Sequence, residues 1–157
     1  GLSSSKEEID KVYAHLSSRI DTLYQFILTY SDYIGKPRDY GTGLLVSMVE
    51  VHILTLIEDH PGITISDLAK KWRRTKSAIS QNVKKLEAKG LVHRVRDGDN
   101  AKVFHLYPTD EGVRLSTAHK LYDNVAILQA HDDLLRSCTP EELDAFYKVL
   151  DAYSKRS

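Results

Sequence analysis

The 157-residue chain has one cysteine, four prolines and no net charge. A single thiol, Cys138, excludes an internal disulfide framework and fits a reducing cytoplasm, where the chain is expected to reside. Long apolar runs are absent. The most apolar stretch, Leu44 to Ile57, is broken by Ser47, Glu50, His52 and Thr55, so it reads as a buried helix and no membrane span is expected. The opening Gly-Leu-Ser-Ser-Ser runs straight into charges, and no signal peptide is expected. There is no Gly-rich phosphate loop, no nucleophile elbow and no carboxylate pair at helical spacing inside an apolar run, which excludes the common enzyme classes.

Zero net charge normally argues against a phosphate-bearing partner, but the distribution is uneven. Between Thr64 and Arg96 stand Lys70, Lys71, Arg73, Arg74, Lys76, Lys84, Lys85, Lys89, Arg94 and Arg96, with Asp67 and Glu87 the acids, a net +8 balanced by −8 elsewhere. Such asymmetry points to an anion-binding patch on an acidic body.

The first third has the pattern of one long helix. Ile9, Val12, Leu16, Ile20, Leu23, Ile27, Tyr30 and Ile34 recur at steps of three and four, and Ser4 and Ser5 each precede a glutamate by three residues. That helix exceeds what a small domain needs, so its stripe is expected to meet a partner helix, such as one from a second subunit. After "GKPRDYGTG" a second helix is predicted from about Leu45 to Asp59, with Val46, Val49, Ile53, Leu56 and Ile57 inward. Ser66 is expected to cap a short helix ending near Trp72, and Thr75 the next, with Gly90 as its stop. "LVHRVR" and "KVFHLY" read as strands around the turn "DGDNA". Thr109 starts a long helix, and Thr139-Pro140-Glu141-Glu142 opens the last.

Helix, short helix, turn, amphipathic helix and hairpin is the order of a winged helix-turn-helix. On the helix after Thr75, Ile79, Val83 and Leu86 fall on one face. Ser77, Gln81, Lys84 and Lys85 fall on the other, with Ser80 on the flank. Small hydroxyls allow close approach, an amide pairs with adenine, and lysines reach phosphate or guanine. The helix N-terminus near Lys76 and Ser77 attracts phosphate, and Arg73 and Arg74 lie in the turn before it.

"ISDLAKKWRRTKSAISQNVKKLEAKGLVHRVRD" and "LYPTDEG" resemble the MarR family of bacterial transcriptional regulators, and the flanking helices and "TPEEL" extend the resemblance over nearly the whole chain. The resemblance implies a mainly α (α+β) fold in a single domain over 1–157. A winged helix-turn-helix lobe would occupy 45–108, and 1–36 and 110–157 would be dimerisation helices. It also implies a homodimer on a pseudo-palindromic operator in double-stranded DNA, acting as a repressor, with a small aromatic or anionic effector binding between helices and lobes. The family's recognition contacts map onto Thr75, Lys76, Ser77, Ser80, Gln81 and Lys84. The wing departs from the pattern. Relatives carry an acidic residue followed by arginine near the tip, where this chain has Asn100 and Ala101, then Lys102. Lysine lacks the planar fork of arginine, so Arg94, Arg96 and Lys102 are expected to supply charge to phosphates.

Seven histidines invite a metal reading, since some family members sense metals. No two are spaced i, i+4 and there is no Cys-x-x-Cys, so neither metal nor other cofactor is expected. His131-Asp132-Asp133 is explained equally well by a polar helix end, and His52 reads as a hydrogen-bonded cleft residue. Tyr13, Tyr24, Tyr30, Tyr33 and Tyr40 suit an aromatic effector or helix packing equally. Tyr24, Tyr40 and His52 are the candidate effector residues. Cys138, near Arg136 and a helix start, has no second cysteine to resolve an oxidised form and reads as an ordinary thiol. The alternatives to an operator-binding regulator are a winged helix used for protein contacts and a metal-responsive regulator. Against the first, the outer face of Ser77 to Lys85 carries none of the exposed aromatics or leucines of a protein-docking face.

Overall fold

The computed structural model describes residues 5–156. Helix α1, Lys6–Ile34, spans 29 residues, and the Ser5 hydroxyl caps it by accepting the Glu8 N–H. The reading of Ser4 as a second cap lies outside the described residues. No residue of α1 is buried. A two-residue strand β1, Arg38–Asp39, pairs with β2, Leu45–Val46, across the glycine-rich loop. The second helix therefore starts later than the sequence suggests. Helix α2 is Met48–Asp59, because Ser47 and Glu50 form a reciprocal capping box that fixes the start there.

The expected cap at Ser66 is corrected as well. Strand β3, Ile63–Thr64, pairs with β5, Phe104–Pro108, which holds Thr64 extended. Thr64 then accepts the Asp67 N–H and starts helix α3, Ile65–Trp72. Helix α4, Lys76–Ala88, has the predicted Thr75 cap, and Gly90 after it takes a positive φ of 74° that glycine adopts without strain. Strand β4, Val92–Arg96, pairs antiparallel with β5 with Arg94 opposite Leu106, giving the sheet order β3-β5-β4. Helix α5, Asp110–Leu134, and helix α6, Pro140–Ser154, complete the chain with the Thr109 and Thr139 caps expected.

The core lies under α2. Val51, Ile53, Leu54 and Ile57 are fully buried there, with Leu68 of α3, Ile79, Val83 and Leu86 of α4, Leu106 of β5 and Leu115 of α5 around them. The sequence pattern placed one face of α2 inward, whereas Val51 and Leu54 extend burial around the helix. Helix α5 enters through the "TDEG" turn. Thr109 donates its hydroxyl to the Gly90 carbonyl and its N–H to the Leu91 carbonyl, at 2.6 and 3.0 Å. A Cβ on Gly112 would sit 2.1 Å from that Leu91 oxygen. Backbone cannot swing aside as a side chain does, so Gly112→Ala is expected to lower stability by about 1–3 kcal/mol, read as a lower denaturation midpoint.

The wing is fixed at its base by His105. Its Nδ1 lies 2.8 Å from the Gly62 carbonyl and its Nε2 2.7 Å from Asp97 Oδ1. Both neighbours are acceptors, a setting that favours the doubly protonated ring. The Asp97 carboxylate beside it, and then the Gly62 carbonyl, raise the His105 pKa, while His105 lowers that of Asp97. A raised histidine pKa stabilises the fold below the ordinary value and loses that contribution as pH rises through the folded value. His52 and His119 are shifted downward, chiefly by burial, and act in the opposite sense. The difference in denaturation midpoint between wild type and Asp97→Asn isolates the clamp. Above about pH 5, where Asp97 is ionised, the gap is expected to be widest at the acid end and to close with rising pH. A gap that stays constant with pH would contradict the clamp.

Candidate nucleic-acid interface

Helix α4 buries one side and presents the other. Ile79, Val83 and Leu86 are fully buried, whereas Ser77, Gln81, Lys84 and Lys85 are exposed and Ser80 is half-buried. Thr75 accepts the Ala78 N–H at 3.1 Å, which leaves the first N–H groups near Lys76 and Ser77 facing solvent. The half-buried Asn82 donates to the Ala78 carbonyl, so its amide lies along the helix. The outer face therefore carries hydroxyl, amide and ammonium groups with no large apolar residue among them.

The ten cations of this segment divide into two groups. Arg94 is half-buried and turned inward. Its Nε lies 3.1 Å from both Glu87 oxygens and its guanidinium 5.0 Å from the Phe104 ring, so it ties β4 to α4 instead of facing outward with Arg96. Lys89 is held by Glu50 at 2.6 Å and the Leu45 carbonyl at 2.9 Å. Arg73 takes the left-handed conformation, φ 52°, at the turn between α3 and α4. Its guanidinium lies 3.4 Å from the Ser154 hydroxyl and 3.8 Å from Asp151, both on α6. The structure thus diverts Arg94 from its expected outward role and gives Arg73 a second attachment. Among the described residues, the other seven, Lys70, Lys71, Arg74, Lys76, Lys84, Lys85 and Arg96, have no carboxylate partner, and neither has Lys102 of the wing.

At the wing tip Asn100, Ala101 and Lys102 are all exposed. Asn100 accepts the Lys102 N–H, and Asp97 Oδ2 accepts those of Asp99 and Asn100. The tip is a side-chain-capped turn with one ammonium at its apex.

A cleft opens on the other side of α2, against α5. The effector candidates Tyr40 and His52 line it together with Tyr33, Arg38, His119, Tyr122 and Asp123, around a cavity of about 50 Å³. Tyr24 is not among the lining residues and is exposed on α1. Arg38 lies 3.9 Å over the Tyr33 ring and donates to the Tyr122 hydroxyl. Beyond Tyr40 an open groove of about 430 Å³ follows Leu121, Tyr122 and Val125 of α5. Among the described residues, His52, His119 and Asp123 form a cluster of metal-ligating type. No histidine pair marks it in the sequence, because its local signal is His119 and Asp123, one turn apart on α5. His131 bonds to Tyr147 Oη at 2.5 Å and is not in that cluster.

The model of the MarR family matches residues 46–104, which holds α2 to the first residue of β5. An HTH-type transcriptional regulator of Bacillus subtilis, YhjH, is 28% identical over 124 residues, 78% of this chain and 71% of its own length. The crystal structure of Streptococcus pneumoniae FabT in complex with DNA superposes with a TM-score of 0.61 at 21% identity, covering 91% of this chain and 95% of that one. Lactococcus lactis ZitR, a zinc-responsive MarR family member, gives a TM-score of 0.67 at 16% identity, covering 89% and 97%. At such identities the two structures speak for the fold alone. Residues 46–104 thus match the MarR family of regulators, and the chain as a whole has the fold of these solved structures.

Proposed function

We propose that the protein is a transcriptional repressor that binds a pseudo-palindromic operator as a homodimer. The observation that carries this reading is the outer face of α4. Ser77, Gln81 and Lys84 stand clear of the core on a capped helix, flanked by cations with no carboxylate partner. In this reading Gln81 reads a base edge, Thr75, Lys76, Ser77 and Ser80 contact backbone and groove at the helix start, and Lys84 meets phosphate. Arg74, Arg96 and Lys102 add phosphate contacts on either side. Residues 45–108 act as the lobe, and 1–36 with 110–157 as the dimerisation helices.

The dimer is supported by surface that one chain leaves open. The chain alone exposes 11372 Å². A compact monomer of its 17.8 kDa exposes about 8,000 Å². Much of the excess lies on helices α1 and α6, neither of which buries a residue. Leu16 and Leu28 are 59% and 63% exposed, and Phe146 and Val149 are 46% and 59% exposed. Leaving so many large apolar side chains in water is unfavourable, and a second copy covers them symmetrically. A small aromatic or anionic effector has Tyr40 as a wall in the open groove along α5, where it would act on the same helices.

Light scattering is expected to return twice the chain mass at micromolar concentration. On a footprinted site upstream of its own gene, Gln81→Ala is expected to cost roughly 1–3 kcal/mol and relax base preference. Lys84→Ala should weaken all sequences alike. Ala101→Arg should tighten binding where the flanking minor groove is narrow. A monomer, or Gln81→Ala and Lys84→Ala variants that bind like wild type, would contradict the assignment.

A further inference from the structure

The cleft between α2 and α5 assembles three metal-ligating side chains. His119 Nε2 lies 2.9 Å from Asp123 Oδ2, one turn along α5. His52 Nε2 faces the same oxygen from α2 at 3.7 Å. One ligand atom from each of the three residues lies within 4.8 Å of the others. A zinc-type ion at about 2.0–2.2 Å in a tetrahedral array sets its ligand atoms roughly 3.3 Å apart. Small side-chain rotations therefore close the set.

Hydrogen bonds behind the ring decide which His119 nitrogen is available. The Thr55 hydroxyl donates its one proton to the Val51 carbonyl at 2.9 Å, and the Ser116 hydroxyl donates to Glu58 at 2.6 Å. What Thr55 offers His119 Nδ1, 3.3 Å away, is a lone pair, so Nδ1 carries the ring proton. Nε2 faces the Asp123 carboxylate at 2.9 Å, a gap that a proton or a metal ion bridges, and the His119 side chain is 4% exposed. Among the described residues Asp123 has no lysine or arginine partner, since Lys120 turns to Glu58 and Asp59 and Arg38 to Tyr33 and Tyr122.

We propose that His52, His119 and Asp123 bind a divalent transition-metal ion of the zinc class, and that Trp72 links this site to the recognition helix. Two imidazoles and one carboxylate suit such ions and leave a coordination position for water. The surrounding cavity of about 50 Å³ is far smaller than the roughly 150 Å³ that admits a benzene ring, so its size selects an ion over an aromatic ligand. Thr55 is the outer partner that fixes the His119 tautomer. The linkage follows from His52, whose ring stacks on Trp72 with centroids 5.4 Å apart and planes 22° apart. Trp72 ends α3, directly before the left-handed Arg73 and the turn to the Thr75 cap. Its indole N–H has no hydrogen-bond partner, so packing and the stack with His52 hold the ring. Turning the His52 imidazole toward an ion moves the surface on which Trp72 rests.

The full chain, stripped with EDTA and free of DNA, is titrated with Zn(II) and separately with Co(II). One ion per chain is expected, with visible Co(II) absorption and a change in the emission of Trp72, the one tryptophan of the chain. Asp123→Ala and His52→Ala should each weaken binding about tenfold or more, while His131→Ala binds as wild type. No bound ion, or wild-type affinity in Asp123→Ala and His52→Ala with native circular dichroism, overturns the site. The linkage rests on the DNA-binding reading above and is measured separately on duplex DNA with and without Zn(II). Zn(II) should shift DNA affinity about fivefold or more in wild type and less in Trp72→Phe. Metal binding that leaves DNA affinity unchanged overturns the linkage. A chain that binds Zn(II) but no DNA under any condition overturns the DNA reading and leaves the metal site standing.

Discussion

Glu50 is a carboxylate at 5% exposure, and the arrangement of the lobe follows from how its charge is met. One oxygen accepts the Ser47 N–H and closes the start of α2. The other takes the ammonium of Lys89, the C-cap residue of α4, and Lys89 also bonds the Leu45 carbonyl at the start of β2. Removing one partner of a buried pair leaves a charge without compensation, at a cost of about 3–5 kcal/mol. Helix α4 is thus held at its C-terminal end to the start of α2. At the opposite end of α2, Glu58 and Asp59 hold Lys120 of α5. Between these polar ends the helix is apolar and buried, so α4 and α5 are each fixed to α2 by packing in the middle and by charge at one end.

That pinning decides which cations are left for a ligand. Lys89 and Arg94 serve the fold, whereas Arg74 in the turn before α4, Lys76, Lys84 and Lys85 on α4, and Arg96 and Lys102 of the wing have no carboxylate partner among the described residues. The cleft lies on the other flank of α2, where His52 and Thr55 line up with His119 and Asp123 of α5. Trp72, the last residue of α3, stacks on His52 and stands directly before the turn to α4.

Features governed by local rules were legible in the sequence. The buried face of α4, the caps at Thr75, Thr109 and Thr139 and both strands of the wing depend on spacings of two to four residues, and the structure has them. What was misread depends on partners distant in sequence. Thr64 prevails over Ser66 as a cap because β5 pairs with β3 and holds Thr64 extended. The start of α2 shifts because Leu45 and Val46 pair with β1. Counting charges treated Lys89 and Arg94 as equal to Lys84, since nothing near Lys89 reveals that Glu50 lies beneath it. The cluster in the cleft escaped for the same reason. His119 and Asp123 are neighbours on one helix, but His52 reaches them through the packing of α2 on α5.

The central claim, that the unpaired cations around α4 and the wing face DNA phosphates in both lobes of a dimer, is tested most directly by the salt dependence of binding. Each neutralised phosphate contributes about −0.9 to the slope of log K against log salt concentration. If about three of these cations in each lobe make contact, the slope for the dimer is about −5. A slope of that size, measured by anisotropy on a footprinted duplex, is the predicted result. Binding whose affinity scarcely changes with salt would contradict it, because the basic face of α4 would then lie away from the DNA.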